Sequence, residues 1–493
     1  MERNSVFSTI LLILLKTLQV SIMSQDNQSS SSLERSAMIV ATLTSFMGPF
    51  MISSVNVAMP AIQVDFQMDA VQLSWIATAY LLAMAVGLVP AGKIADIHGR
   101  KKVFATGLGI YTFGTGLAVF ANSAAMLIGL RVVQGLGAAL FVTTGMAILT
   151  SIYPPNRRGR VIGIYVAAVY IGLSVGPFAG GFLTHYLGWR SIFLAMVPLG
   201  LLVLFLTLYY LKGEWLGEPD QQLDIVGCLL YAITIFAMVY GATRLPSTFG
   251  IVLLLSGLLL FALFIGHQVT TSFPVFDIHL FITNKTFAYS SLAALLNYSA
   301  TFAVTFLLSL YLQYLKGMSP QTAGTLLMAQ PIVMALLSPI AGRFSDRIEP
   351  RLLATAGMTI TAIGVLFFSM LQPDTAPYLI VANLILLGTG FALFSSPNMN
   401  AIMGAVEKRH YGLASGTVAT MRLLGQMFSM AMATVVLALI VGRQPIVPEN
   451  YGLFLRSIHA VFFLSAGLCL SGVYFSWFRG AMLQPGSPQG KTH

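Results

Sequence analysis

The chain has 493 residues, of which 57% are hydrophobic and 9% charged, with a formal net charge of +10 and a mean hydropathy of +0.83. A soluble domain carries roughly 25% charged residues, so this composition excludes a water-soluble globule and places the chain in a lipid bilayer. The positive balance does not point to nucleic acid, because the Lys and Arg residues sit in short gaps between apolar runs, where they signal topology.

A span needs roughly 20 mainly apolar residues. By that measure helices are predicted at 37–59, 71–91, 103–121, 124–150, 161–184, 189–211, 225–243, 248–267, 286–313, 322–341, 352–371, 377–404, 411–441 and 457–478. The fold class is therefore an all-α membrane protein of about fourteen helices. Ahead of them, Val6–Leu15 is apolar but too short to span, and Met23 opens a polar, Ser-rich run; translation is expected to begin at Met23. Cys228 and Cys469 lie in separate apolar runs and read as unpaired. No Cys/His spacing suits a metal, and no cofactor is implied.

Orientation follows from the basic residues. With the N-terminus inside, nineteen of the 26 Lys and Arg fall on the cytoplasmic side, five fall outside, and Arg131 and Arg422 fall within spans. That bias predicts a multi-pass protein of the cytoplasmic (inner) membrane with both termini cytoplasmic.

The chain also repeats itself. Gly92-Lys93-Ile94-Ala95-Asp96 returns 250 residues later as Gly342-Arg343-Phe344-Ser345-Asp346, and Gly135, Gly137 and Gly163 return at an offset of 253 as Gly388, Gly390 and Gly416. Two six-helix bundles at 37–211 and 286–480 are predicted, with two inserted linker helices within 212–285. Segments 1–36 and 481–493 are the cytoplasmic ends. Duplicated bundles place a binding site at their midplane interface, reached by rocking one against the other.

Several segments carry chemistry, in chain order. Val55-Asn56-Val57-Ala58-Met59-Pro60 ends the first span. The loop Gly92 to Lys102 holds Asp96, Gly99 and Arg100; Gly92 allows close helix approach, and Asp96 suits a helix N-terminus or a basic partner. Arg131-Val132-Val133-Gln134-Gly135 puts a cation near membrane depth, where it must face protein or water. Gly172, Gly176, Pro177, Gly180 and Gly181 give the fifth span a face that packs closely and bends. Asp224-Ile225-Val226-Gly227 opens the seventh span, and Arg422-Leu423-Leu424-Gly425 lies in the thirteenth.

Together these segments resemble the major facilitator superfamily, and within it the fourteen-helix drug/proton antiporter family, over residues 37–480. The resemblance implies a conformational latch at Gly92, Asp96, Gly99, Arg100 and Asp346, and an export-associated packing motif at Gly172, Gly176, Pro177, Gly180 and Gly181. It also implies a substrate or coupling cavity at Arg131, Gln134, Asn56 and Arg422. Secondary active export of small amphipathic or drug-like molecules by alternating access is expected. The partners are membrane lipids, a small-molecule substrate, protons by analogy with the family, and a periplasmic adaptor in double-membrane bacteria. One departure stands out: Met51 occupies the position where the family usually has Asp, and all sixteen acidic residues fall in loops or at helix ends. Arg131 and Arg422, lacking an acidic counter-ion, would favour anionic substrates unless carbonyls, amides or Tyr cap them. An intramembrane enzyme is disfavoured, because no acid, base, nucleophile or metal cluster shares one depth. The alternatives are an exporter of a specific metabolite, lipid or anionic compound with non-proton coupling, and a membrane sensor that binds without transporting.

Overall fold

The computed structural model describes residues 3–217, 222–245, 247–272, 274–276, 278–345, 347–406 and 411–480, with side chains described from residue 32 onward except at 155–156, 158–160, 411–413 and 415. Among the described residues every regular element is a helix. The first half contains α1 (Arg3–Phe66), α2 (Ala70–His98), α3 (Arg100–Ala118), α4 (Ala124–Ile152), α5 (Pro155–Leu187) and α6 (Arg190–Tyr209). The insert contains α7 (Ile225–Thr243) and α8 (Thr248–Thr270), followed by the short α9 (Ile278–Thr283). The second half contains α10 (Lys285–Thr301), α11 (Ala303–Tyr314), α12 (Pro320–Leu327), α13 (Ala329–Ser345), α14 (Pro350–Phe368), α15 (Pro377–Gly404), α16 (Tyr411–Ile440) and α17 (Tyr451–Phe478). The side chains at the expected start, Met23, lie outside the described residues.

Local chemistry sets most helix starts. Asp69 closes a capping box with Gln72 at α2, and Ser123, Ser247, Asn284 and Ser319 each accept a backbone N–H of the first turn that follows. Pro stands in the first turn of α5, α12, α14 and α15, where its missing N–H leaves nothing unpaired.

Thirteen helical stretches are long and apolar enough to cross a membrane by length and composition. The remaining membrane-length segment is α3, whose first turn is Arg100-Lys101-Lys102. Gly107 abuts Leu140 and Phe141, and Gly114 abuts Val133 and Gln134, so α3 runs antiparallel along α4.

Two expected spans are broken. The 286–313 span divides into α10 and α11 at Phe302, where the Ala303 N–H donates 3.0 Å to Ser429 Oγ of α16 instead of to its own helix. The 322–341 span divides at Met328, three residues before Pro331, which has no N–H for the ladder.

The two halves share one packing plan. In the first, α1 packs on α5 and α6, α2 and α3 pack on α4, and α3 packs on α6; in the second, α10 packs on α16 and α17, α13 and α14 pack on α15, and α14 packs on α17. The duplication reaches individual backbone contacts. A Cβ at Gly135 would strike Tyr80 O and one at Gly388 would strike Gln330 O; Gly172 meets Phe46 O as Gly425 meets Leu295 O. Such approaches bring helix backbones into contact without the hydrophobic driving force that lipid removes. In the insert, α7 lies against both α2 and α16, and Tyr231 Oη donates 3.0 Å to Ala85 O.

The halves meet unevenly. At the end that holds Asp69, the Ala70 N–H donates to Gln444 O at 2.9 Å, Ser309 Oγ to Asn56 O at 2.9 Å, Gln313 Nε2 to Val57 O at 2.9 Å, and Tyr314 Oη to Gln63. One to two turns further in Thr78 pairs with Thr434 at 3.3 Å, and at mid-depth Tyr170 pairs with Ser395 at 3.4 Å. No described cross-half hydrogen bond lies near the Gly99 end.

Candidate functional site

Four groupings hold the residues that the sequence singles out. The first is the Gly92–Lys102 turn between α2 and α3. Arg100 Nη2 lies 2.7 Å from Asp96 Oδ1, and Arg100 Nη1 donates 3.3 Å to Ala147 O of α4. Gly92 faces the Thr143 methyl at a spacing a Cβ would crowd to 3.2 Å, and Gly99 has φ +114°, which an L side chain rarely adopts. Asp346, the counterpart of Asp96, lies outside the described residues.

The segment after α6 docks on this turn, a contact that sequence reasoning missed. Glu214 Oε1 accepts the Lys101 N–H at 2.7 Å and Oε2 the Lys102 N–H at 3.3 Å; Trp215 O accepts the Arg100 N–H at 2.9 Å, and the Gly217 N–H donates to Asp96 O at 3.0 Å. Gly99, at the N-cap of α3, has no side chain to satisfy those donors, and Glu214 supplies a carboxylate at the positive end of the helix. The available signal was the first acid after a span, lying opposite a basic helix start without a capping residue.

The second grouping is the glycine face of α5. Gly172, Gly176 and Gly180 press on α1 at Phe46, Ser53 and Ser54, while Ser53 Oγ donates 3.4 Å to Gly172 O and Ser54 Oγ 2.8 Å to Gly176 O. Gly181 leaves this pattern and crosses to the other half, lying against Pro320 O of α12; Pro177 O in turn lies against the bare Cα of Gly324. A face that reads in sequence as general helix packing is thus also the closed seam at the Asp69 end.

The third grouping surrounds Arg131, which is 1% exposed. Its Nε donates 3.1 Å to Ile76 O, its Nη1 donates 2.8 Å to Gln134 Oε1, and its guanidinium sits 4.3 Å from the centroid of the Tyr80 ring. Gln134 Nε2 then donates 2.8 Å to Thr115 Oγ1. A carbonyl, an amide and an aromatic face therefore cap this cation, as the alternative to an unpaired charge anticipates. Asn56 is buried elsewhere, at the seam beside Ser309, and its Oδ1 has no partner among the described residues.

Arg422, the fourth, differs. It is half-buried on α16 and makes no hydrogen bond or ion pair with a described residue; Gly425, one turn further along α16, lies against the Tyr298 Cβ of α10. The four expected cavity residues thus form no single cluster: Arg131 and Gln134 bond to each other, and Asn56 and Arg422 stand apart.

Two histidines and one basic residue complete the inventory. His459 Nε2 lies 2.6 Å from Leu371 O, and His267, unremarked in the sequence, lies 2.8 Å from Asp224 Oδ1 at the start of α7. Arg479, in the turn just past α17, is 1% exposed and donates 2.8 Å to Asn398 Oδ1. The described residues hold no group of three or more His, Cys, Asp or Glu suited to a metal.

Two like-built helical halves, a seam closed at one end and polar side chains between them define a non-enzymatic polytopic membrane transporter. A profile of the Major Facilitator Superfamily matches residues 41–281 and 290–492, and the chain belongs to that family. It is 32% identical to the riboflavin transporter RibZ of Clostridioides difficile (strain 630) over 385 residues, covering 78% of this chain and 84% of that protein. It is 33% identical to the multidrug resistance protein Stp of Mycobacterium tuberculosis (strain CDC 1551 / Oshkosh) over 390 residues, covering 78% and 72%. A crystal structure of a D-xylose-proton symporter superposes with a TM-score of 0.65 at 12% identity, covering 90% of this chain and 97% of that one, and shows the shared fold.

Proposed function

We propose that this transporter exports small amphipathic molecules across the cytoplasmic membrane by alternating access, with the Gly99 end and both termini cytoplasmic. The reading is carried by the seam in which Gly181 and Pro177 meet Pro320 and Gly324: the export-associated segment of α5 is where the two halves close. A closed Asp69 end, with the described cross-half hydrogen bonds at that end and at mid-depth, is one of the two states that a rocking pair of bundles requires. Similarity to a multidrug resistance protein supports a drug-like substrate range, and similarity to a riboflavin transporter supports a planar metabolite within it.

In this scheme Gly92, Asp96, Gly99, Arg100 and Asp346 set the balance between the two states. The Arg100 bridge to Asp96 and the α4 carbonyl holds the turn in the present one. Asn56, at the seam, joins the cavity when the Asp69 end opens, and Arg131 and Gln134 line the neighbouring wall. The protein is driven by protons on the strength of its resemblance to drug/proton antiporters, and an adaptor would extend export across a second membrane.

Inverted vesicles loaded with a pH-sensitive dye test the direction and the ion together. Substrate is expected to accumulate inside them while their acid interior is discharged. Accumulation confined to right-side-out vesicles would overturn export, and accumulation without proton movement would overturn the coupling.

A further inference from the structure

We propose that Arg422 is the recognition point for the charged group of an amphipathic organic anion, whose planar apolar part lies against Tyr165, Tyr170 and Tyr298. The proposal rests on the transport reading above and names its substrate class.

Arg422 lies six residues into the apolar stretch Gly416–Ile440, which at 1.5 Å per residue is about 9 Å from its start and inside a bilayer core of about 30 Å. A guanidinium at that depth is always charged and must find water, a carbonyl, an aromatic face or an anion. Arg131 has found three of these within the protein. Arg422 has found no hydrogen-bond or ion-pair partner among the described residues, and it is not sealed from solvent. The described carboxylates lie in loops or near the ends of the membrane-length stretches, and none forms an ion pair with it.

The groups around it come from both halves. Tyr165 stands on α5 and Tyr298 on α10, where the Tyr298 Cβ lies against Gly425, one turn beyond Arg422 on α16. Tyr170, one and a half turns beyond Tyr165, reaches Ser395 Oγ of α15 at 3.4 Å, and Tyr298 meets the Phe391 ring edge-on at 5.4 Å. One unpaired cation, three phenol hydroxyls and a set of ring faces at the same interface match a ligand with one anionic end and a flat apolar body. The same field disfavours organic cations, because no acid among the described residues offsets the guanidinium. A ligand seated there touches α5, α10, α15 and α16 together, so it would bind the two states of the seam unequally.

Equilibrium binding to the purified full-length protein in detergent, by isothermal titration calorimetry, tests this with 1-naphthoate, 1-naphthamide and 1-naphthylmethylammonium. Wild type is expected to bind 1-naphthoate at least about tenfold more tightly than the amide and to bind the ammonium most weakly. In Arg422→Gln the preference should vanish while affinity for the amide is kept; Arg422→Lys should retain part of it; and Arg443→Gln, exposed beyond the α16 terminus, should match wild type. Failure of wild type to bind 1-naphthoate, equal binding of acid and amide, or an undiminished preference in Arg422→Gln would overturn the proposal. Vesicle flux separates the two readings. Binding of the acid without any flux rejects transport and leaves Arg422 as an anion site, whereas equal flux of acid and amide, unaltered in Arg422→Gln, rejects the anion site and leaves transport.

Discussion

Two arginines within membrane-length helices, Arg131 and Arg422, show how environment and not residue type decides what a charge does. Arg131 is held by Ile76 O, Gln134 Oε1 and the Tyr80 ring, and so ties α2 to α4. In Arg131→Gln the shorter side chain abandons the Ile76 carbonyl and the Tyr80 face. Buried acceptors left in this way cost about 1–3 kcal/mol each, so the melting temperature in detergent is expected to drop, and a melting curve superimposable on wild type would contradict the tether. Asp224 makes a second residue-scale prediction. Burial raises its carboxyl, but hydrogen bonds from His267, the Gly227 amide and Gln268 outweigh burial and hold it below the usual Asp value. A group with a depressed folded pKa adds stability that is complete above the unfolded value of about 3.9 and disappears as pH falls through the folded value. Wild type should therefore lose thermal stability on acidification below about pH 5 more steeply than Asp224→Asn. Parallel pH profiles would show that the carboxylate contributes nothing.

At the scale of elements, the helices owe their positions to a few side chains that satisfy ends and allow close approach. Glu214 takes over the capping role that Gly99 cannot fill, so Glu214→Gln should destabilise the start of α3 by about 0.5–2 kcal/mol. Amide exchange at Lys101 and Lys102 should then quicken, and unchanged protection there would show that the cap is dispensable. Gly324 is the corresponding point on the seam. Its Cα lies so near Pro177 O that a methyl group cannot fit without moving backbone, and Gly324→Ala should push the halves apart at the Asp69 end. Spin labels at Val64→Cys and Gln444→Cys, one on each half, should report longer distances in that variant; an unaltered distribution would mean that the seam absorbs the methyl elsewhere. The spans themselves were legible where periodicity is uninterrupted: 225–243 and 377–404 match α7 and α15. They were not legible where tertiary contacts intervene. The break at Phe302 depends on Ser429 from a helix more than 100 residues away, and α17 starts at Tyr451, six residues before the predicted span, carrying Arg456 as an exposed residue of its second turn.

For the whole molecule, the sequence by itself determined the solvent, the number of membrane-length helices, the duplication and the family. Each of these follows from local hydropathy, from glycine and acid positions recurring at a near-constant offset, or from short motifs that need no knowledge of distant neighbours. Only the tertiary structure decided which charge is paired and which is open, that Arg479 is buried against α15, that Glu214 caps the turn at Gly99, and that the glycine face of α5 serves both its own bundle and the seam. Those outcomes depend on which surfaces meet between helices 50 to 200 residues apart in the chain. In a bilayer that meeting is set by shape and hydrogen bonding between side chains, since apolar faces gain little by leaving lipid, and a one-dimensional pattern of apolar residues carries no record of it.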